Sequence, residues 1–254
     1  DLGHKVVFIV GDFTARIGDP SDKLDKRPTL TEEQIKENIK HYKTQVGKIV
    51  DIKKAEFVFN SAWLKKLTFA DVLGLQRAFT TNQMMTRRNF TERIEKGGEV
   101  GLEETSYPLM QGYDSVAIKA DVEIAGHDQL FNLKAGRVIQ PAYGLPPQDI
   151  LMLEMLEGTD GRKMSTSWGN VINILDEPGD MFGKLMSVKD ELVDKYVKLC
   201  TDLSDDEITA LPTHPKERKI RLAHEIVKMY HGATVAMVAE AAFESQFAKG
   251  QLPT

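Results

Sequence analysis

Apolar positions along the chain keep two rhythms, unbroken short runs and helical spacings, and the two alternate. Val6-Val7-Phe8-Ile9-Val10 is apolar without alternation and stops at Gly11-Asp12, which predicts a parallel-sheet strand covered on both faces. The stretch from Gly11 to Ser21 holds two glycines and a proline, so it is a loop at the carboxyl end of that strand. Open α/β sheets hold ligands at that edge. Thr31-Glu32-Glu33-Gln34 is a capping-box signature, and Ile35, Ile39, Tyr42, Val46 and Ile49 recur behind it at helical spacing, predicting one amphipathic helix to about Asp51. Phe57-Val58-Phe59 predicts a second strand, Asp71 to Met85 reads as mostly helical, and Arg87 to Gly101 as charged and irregular. Pro108 stands where a first-turn helix proline would, in an apolar segment running to Ala120. Val122-Glu123-Ile124 is another strand, ending in Ala125-Gly126-His127-Asp128. Strand and helix in this order predict a doubly wound parallel α/β sheet of the Rossmann kind.

Leu151 to Leu156 is a further apolar run, ending in the turn-rich Glu157-Gly158-Thr159-Asp160-Gly161 ahead of Arg162-Lys163-Met164-Ser165-Thr166-Ser167. Composition shifts near Pro178-Gly179, and from Met181 to Ala248 the pattern is helical, with breaks around Ser204 and from Pro212 to Pro215. The expected division is an α/β domain over residues 1–177 and a small all-α domain over 178–254.

Composition narrows the function classes. With 254 residues, 41% hydrophobic and 28% charged, the chain can bury the core of one large domain or two. Lys and Arg number 33 against 38 Asp and Glu, a net charge of -5, so any contact with a nucleic acid must be local, and DNA is not an expected partner. The single cysteine, Cys200, excludes an intramolecular disulfide and a multi-thiolate metal site and suits a reducing cytoplasm. Six scattered histidines form no His-Glu-x-x-His pair, so no protein-bound metal is expected. The apolar runs fall far short of the roughly 20 residues that cross a membrane, and the opening Asp1-Leu2-Gly3-His4-Lys5 has no signal-peptide pattern.

Tyr107, Gln111 and Asp114 lie at i, i+4 and i+7, on one face of a helix. A hydroxyl, an amide and a carboxylate buried together need polar partners, which suggests a pocket reading a small polar molecule; a solvated helix face has the same spacing. Asp19, in the turn Gly18-Asp19-Pro20-Ser21, could hold a ligand ammonium or belong to an ordinary turn. Lys23 and Arg27 in the same loop could meet phosphate oxygens or water. Gly126-His127-Asp128-Gln129 joins close backbone approach to an acid that could accept two ribose hydroxyls. Lys163, followed by small hydroxyl residues on a glycine-flanked loop, could close over a triphosphate and neutralise charge as pyrophosphate leaves.

Val7 to Lys23, Tyr107-Pro108-Leu109-Met110-Gln111-Gly112-Tyr113-Asp114, Gly126 to Asn132, and Lys163 to Ser167 stand in an order that resembles the bacterial tyrosyl-tRNA synthetases, class I aminoacyl-tRNA synthetases. The resemblance covers essentially the whole chain. It implies that Asp19, Tyr107 and Gln111 hold the α-ammonium of tyrosine, that Asp114 accepts a hydrogen bond from its phenol, and that Gln129 sits by its carboxylate. Thr14, Gly126 and Asp128 match positions along adenosine and ribose. Lys23 and Arg27 match a loop that meets pyrophosphate, and Lys163, Ser165 and Ser167 belong to the ATP-binding Lys-Met-Ser-Lys-Ser signature. The implied substrates are L-tyrosine, ATP with Mg2+, and tRNA(Tyr). A homodimer built through a connective insertion at about 65–105 and an anticodon-recognition role for 178–254 are implied as well.

The sequence departs from this pattern at three places. The family's His-x-Gly-His signature does not occur, which is expected if the first strand and its helix lie upstream of Asp1; the segment alone is then expected to be inactive. Thr166 replaces the second signature lysine. The chain stops about where the family joins a C-terminal RNA-binding module. Arg87-Arg88 and the cluster Lys216, Arg218, Lys219 and Arg221 could touch tRNA phosphates, or be a dimer contact and a solvated face respectively. Two other readings stay open: a tryptophanyl-tRNA synthetase, whose equivalent helix lacks the Tyr-x-x-x-Gln-x-x-Asp stripe, and a non-enzymatic RNA-binding protein descended from a synthetase.

Overall fold

The computed structural model describes residues 3–19, 31–165 and 168–248. They form two compact units, one over residues 1–154 and one over 155–254. In the first, β1 (Val7–Val10) pairs in parallel with β2 (Glu56–Phe59), Val7 opposite Glu56 and Val10 opposite Phe59. Between these strands run α1 (Glu32–Ile39), opened by the Thr31 and Gln34 capping box, and α2 (Tyr42–Val46). The single helix expected to Asp51 is therefore two. The Lys40 amide bonds to the Glu37 carbonyl, three residues back, and this tightened turn closes α1 before His41 starts the next.

After β2 come α3 (Ser61–Leu64), α4 (Phe69–Gln76), α5 (Thr81–Met85), α6 (Arg88–Glu95) and α7 (Tyr107–Ile118). Strand β3 (Val122–Gly126), helix α8 (Leu130–Ile139) and strand β4 (Asp149–Leu153) then make a parallel crossover unit, with Val122 opposite Asp149 and Gly126 opposite Leu153. Helix α6 lies inside the segment expected to be irregular. One of its charged letters is internal: Arg93 meets Glu104, beyond the segment, at 2.9 Å, with side chains 5% and 4% exposed. Charge at that position marks the inside of the fold, not its surface.

Among the described residues the four strands form two separate parallel pairs, β1 with β2 and β3 with β4. Leu75, Met84, Leu109 and Ile139 form the core beside α7 and α8. These two helices meet closely because Gly112 has no side chain: a Cβ there would lie 2.6 Å from Ile139 Cδ1 and 3.0 Å from the Ala135 carbonyl carbon. Overpacking of that kind costs about 1–3 kcal/mol.

The second unit contains α9 (Pro178–Met186), α10 (Val193–Cys200), α11 (Asp205–Thr209), α12 (Pro215–His231) and α13 (Ala233–Ala248). Its core gathers Met181, Phe182, Leu185, Tyr196, Val197, Leu222 and Val227 among others. Leu156, Met164 and Ile172 pack against this same core, and the Tyr196 hydroxyl donates to the Glu157 carbonyl at 2.6 Å. Residues 155–177, expected with the α/β domain, thus fold with the helices. No helix among the described residues is long and apolar enough to cross a membrane.

Candidate active site

The loop after β1 is pinned to the start of α3. Asp12 accepts from the Ser61 amide at 2.9 Å and the Ser61 hydroxyl at 2.6 Å. Asn60, 1% exposed, accepts from the Phe13 amide and donates to the Thr14 hydroxyl at 3.1 Å. Thr14 also donates to the Gly11 carbonyl, and a Cβ on Gly11 would lie 2.5 Å from its oxygen. Its hydroxyl is engaged by the protein, one step from the acid on α7.

That acid is Asp114, buried on the inner face of the helix. Trp63 Nε1 donates to one of its oxygens at 2.7 Å and Asn60 Nδ2 to the other at 3.2 Å. Burial pushes the Asp114 carboxyl up to about 7; the Trp63 and Asn60 hydrogen bonds pull the other way, and the charges of Glu123 and Asp12 add to the rise. Each carboxylate oxygen can accept more than one hydrogen bond, so an acid fixed from behind by two donors can still take a third from a ligand hydroxyl.

Asp19 and Gln129, 110 residues apart, meet where the two strand-end loops converge: Gln129 Nε2 donates to Asp19 at 2.6 Å and more weakly to Asp128 at 3.4 Å. Asn132 Nδ2 donates to Gln129 Oε1 at 2.9 Å, and Arg87 Nη2 donates to Asn132 Oδ1 at 3.4 Å. Arg87 is buried between the rings of Phe90 and Phe131, with centroids at 4.9 and 5.1 Å. Desolvation lowers its guanidinium below the ordinary arginine range, while Asp19, Glu104 and Tyr107 act against that shift, which puts Asp19 and Tyr107 in the field of one cation. Arg87 is therefore an internal group and cannot face tRNA, whereas Arg88 is exposed. Gln111, one turn after Tyr107, donates to Glu123 Oε1 at 2.9 Å. Gly126 ends β3, directly before the turn His127–Gln129 that carries Asp128.

In the second unit Lys163 is exposed, and its backbone pairs with Glu157 across an antiparallel bridge. Asn170, 3% exposed, ties the signature segment together: its Oδ1 accepts from the Ser165 amide at 2.8 Å, and its Nδ2 donates to the Lys163 carbonyl at 3.0 Å and to Asp160 at 2.8 Å. Hydrogen bonds from Asn170 and Arg162 hold Asp160 well below the usual carboxylate range. Lys23, Arg27, Thr166 and Ser167 lie outside the described residues. In the basic cluster, Arg218 pairs with Asp194 at 2.6 Å, Lys219 with Asp190 at 2.5 Å and Arg221 with Glu225 at 2.7 Å. Three of its four cations thus already face carboxylates. Among the described residues no three His, Cys, Asp or Glu side chains gather as a metal site.

Asn60, Trp63, Glu123 and Asn170 are the site residues that sequence reasoning passed over, and Arg87, read from the sequence as a surface contact, is buried in the site. Asn60 and Trp63, three apart at the end of β2, carried a usable signal, because a strand-end amide with an indole N–H one turn on can aim two donors at one acceptor.

The chain matches the family described as tRNA synthetases class I (W and Y) over residues 1–248. It is 47% identical over 261 residues to the tyrosine–tRNA ligase of Thermotoga maritima and 46% identical over 260 residues to that of Carboxydothermus hydrogenoformans. Those matches take in 100% and 99% of this chain but 65% and 63% of the two relatives, so the chain spans about two thirds of their length. In three dimensions it is similar to a C-terminally truncated mitochondrial tyrosyl-tRNA synthetase of Aspergillus nidulans, with a TM-score of 0.76, 21% identity, and coverage of 97% of this chain and 78% of that one. That likeness shows a shared fold, and with the family match over nearly every residue it places this chain among the class I tRNA synthetases of the tryptophan and tyrosine type.

Proposed function

We propose that the chain is part of a tyrosine–tRNA ligase, which joins L-tyrosine to ATP as tyrosyl-adenylate and passes the tyrosyl group to tRNA(Tyr). The observation that carries this reading is Asp114: a buried carboxylate with one donor fixed on each oxygen, on the same helix as Tyr107 and Gln111. A phenol hydroxyl completes such an acceptor, while phenylalanine leaves it desolvated and unpaired. Sites of that construction reject the analogue by about 10⁴–10⁵. Asp19, Tyr107 and Gln111 receive the α-ammonium. Gln129 receives the tyrosine carboxylate, which replaces its weaker 3.4 Å contact to Asp128. Asp128 and Gly126 then face ribose, and Thr14 supports the site through Asn60.

In the first step a carboxylate oxygen of tyrosine attacks the α-phosphorus of ATP, which arrives with Mg2+; the bond to the bridging oxygen breaks and pyrophosphate leaves. In the second, the terminal ribose hydroxyl of tRNA attacks the activated carbonyl and AMP leaves. No side chain serves as nucleophile. Catalysis comes from position and from cations where phosphate charge develops, the role of Lys163, Lys23 and Arg27, and Ser165 and Ser167 bind ATP with them. Residues 178–254 face the anticodon, and the protein works as a homodimer through residues 65–105, where Phe69 and Leu102 are 78% and 82% exposed.

Amino-acid-dependent ATP–pyrophosphate exchange by the full-length protein tests the proposal. L-Tyrosine is expected to drive exchange, and tryptophan and phenylalanine are not. Exchange driven by tryptophan assigns the site to the other amino acid, and none with any of the three leaves a non-enzymatic protein.

A further inference from the structure

Glu123 stands on β3 behind the helix face that carries Gln111, and it has an unusual set of partners for an acid. Gln111 Nε2 donates to Oε1 at 2.9 Å, Ser115 Oγ donates to Oε2 at 3.2 Å, and Gln148 Nε2 also donates to Oε2. Among the described residues no lysine or arginine forms an ion pair with it. Ser115 and Gln148 are 3% and 1% exposed, and Gln148 is itself fixed by its amide bond to Gln140 Oε1 at 2.7 Å. Gly136 makes the room: a Cβ there would lie 2.5 Å from Gln148 Nε2 and 2.9 Å from Ser115 Oγ.

We propose that Glu123 is a positioning residue that sets the orientation of the Gln111 amide, and so makes the site select a ligand carrying an α-ammonium. A carboxylate has acceptors only, so the amide nitrogen of Gln111 must face it. The carbonyl oxygen, on the other side of the same amide, is thereby aimed away from Glu123 as an acceptor for N–H donors. Donation to a carboxylate also polarises the amide and strengthens that oxygen as an acceptor. The negative charge of Glu123 one residue behind the amide favours a cation at the same place. Three neutral donors hold the acid, so its charge is not cancelled before a ligand arrives.

This inference rests on the tyrosine reading of the site, and the two can fail separately. The test compares binding of L-tyrosine and of 3-(4-hydroxyphenyl)propanoate, the same molecule without its ammonium, by calorimetry on the full-length protein and on its Glu123→Ala and Glu123→Gln variants. Glu123→Ala is expected to weaken L-tyrosine by about tenfold or more, the scale of a hydrogen bond to a charged group, and the desamino acid by less than about twofold. Glu123→Gln keeps the shape and offers three donors only one acceptor oxygen; it is expected to lose L-tyrosine affinity in the same direction by about threefold or more. It carries the test if the alanine variant does not fold. Equal losses on both ligands, or no loss on L-tyrosine, overturn the positioning role. A parent protein that does not prefer L-tyrosine to the desamino acid overturns the ammonium reading itself, and this inference with it.

Discussion

Between pH 4 and 7 the folded chain holds a proton on Asp114 that the unfolded chain lacks, because burial lifts this carboxyl to about 7 from the ordinary aspartate value. The native state binds more protons than the unfolded state in that window, so the contribution of Asp114 to stability falls as pH rises through it. Ligand binding runs the opposite way. An ionised acceptor holds a phenol more strongly than a neutral one, and an apolar ring against it costs more. Affinity for L-tyrosine is expected to rise several-fold from pH 6 to pH 8 while affinity for L-phenylalanine stays flat or falls, as calorimetry across that range would show. A tyrosine affinity with no inflection near 7 would place the phenol elsewhere. A second residue-scale expectation concerns Glu104. Its removal leaves Arg93 charged and buried, so Glu104→Ala should cost about 3–5 kcal/mol in urea denaturation, and a loss under about 1 kcal/mol would show that water reaches the arginine. The same residues mark the limit of reading letters. Tyr107, Gln111 and Asp114 were legible because one helix sets their spacing, whereas Glu123 and Trp63 reach Gln111 and Asp114 from other elements, and no spacing announces them.

Elements were legible where local chemistry and burial agree. The Thr31 capping box, Pro108 in the first turn of α7 and the unbroken apolar run of β1 appear where the pattern puts them. The helix expected to Asp51 was misread, because a local stop outweighs periodicity and the close of α1 divides it. The stretch from Asp71 to Met85 is mostly helical as expected, in two helices, the second opened by the Thr80 and Gln83 capping box. Besides the Glu157–Lys163 bridge, the signature loop is held by a buried side chain. Asn170 supplies three of its hydrogen bonds, so Asn170→Ala removes one tie each from Ser165, Lys163 and Asp160 and loosens the loop. The expected result is adenylate formation slowed by about tenfold or more with tyrosine affinity nearly unchanged, since misplaced cations act on leaving charge and not on the bound amino acid. Rapid-quench measurement beside tyrosine titration separates the two; a matching loss of affinity would mean the loop also shapes the amino-acid site.

At the scale of the molecule, each unit has its own core and its own tryptophan, Trp63 in the first and Trp168 in the second. The expected boundary near 177 falls at 154–155 because Leu156, Met164 and Ile172 are apolar anchors on the helical core, a tertiary preference that composition does not carry. A net charge of -5, with most of the basic cluster already paired, means that any contact with a nucleic acid must be local. Assembly has a sharper test. The full-length protein is expected to sediment as a dimer, and Phe69→Asp with Leu102→Asp to sediment as a monomer, because a buried charge without a partner is costly at an interface. A doubly substituted protein that remains dimeric would put the contact on another surface.

The split sheet has a practical consequence. Among the described residues each strand pairs with one neighbour only, and along β3 and β4 the outer rows of backbone donors and acceptors are flanked by Ile124, Leu151 and Leu153, each more than half exposed, in place of the lysines or prolines that usually discourage strand addition. A preparation limited to these residues therefore offers templates for its own neighbours, and its shelf life in solution is governed by dilution and by whatever peptide is supplied to cap those borders.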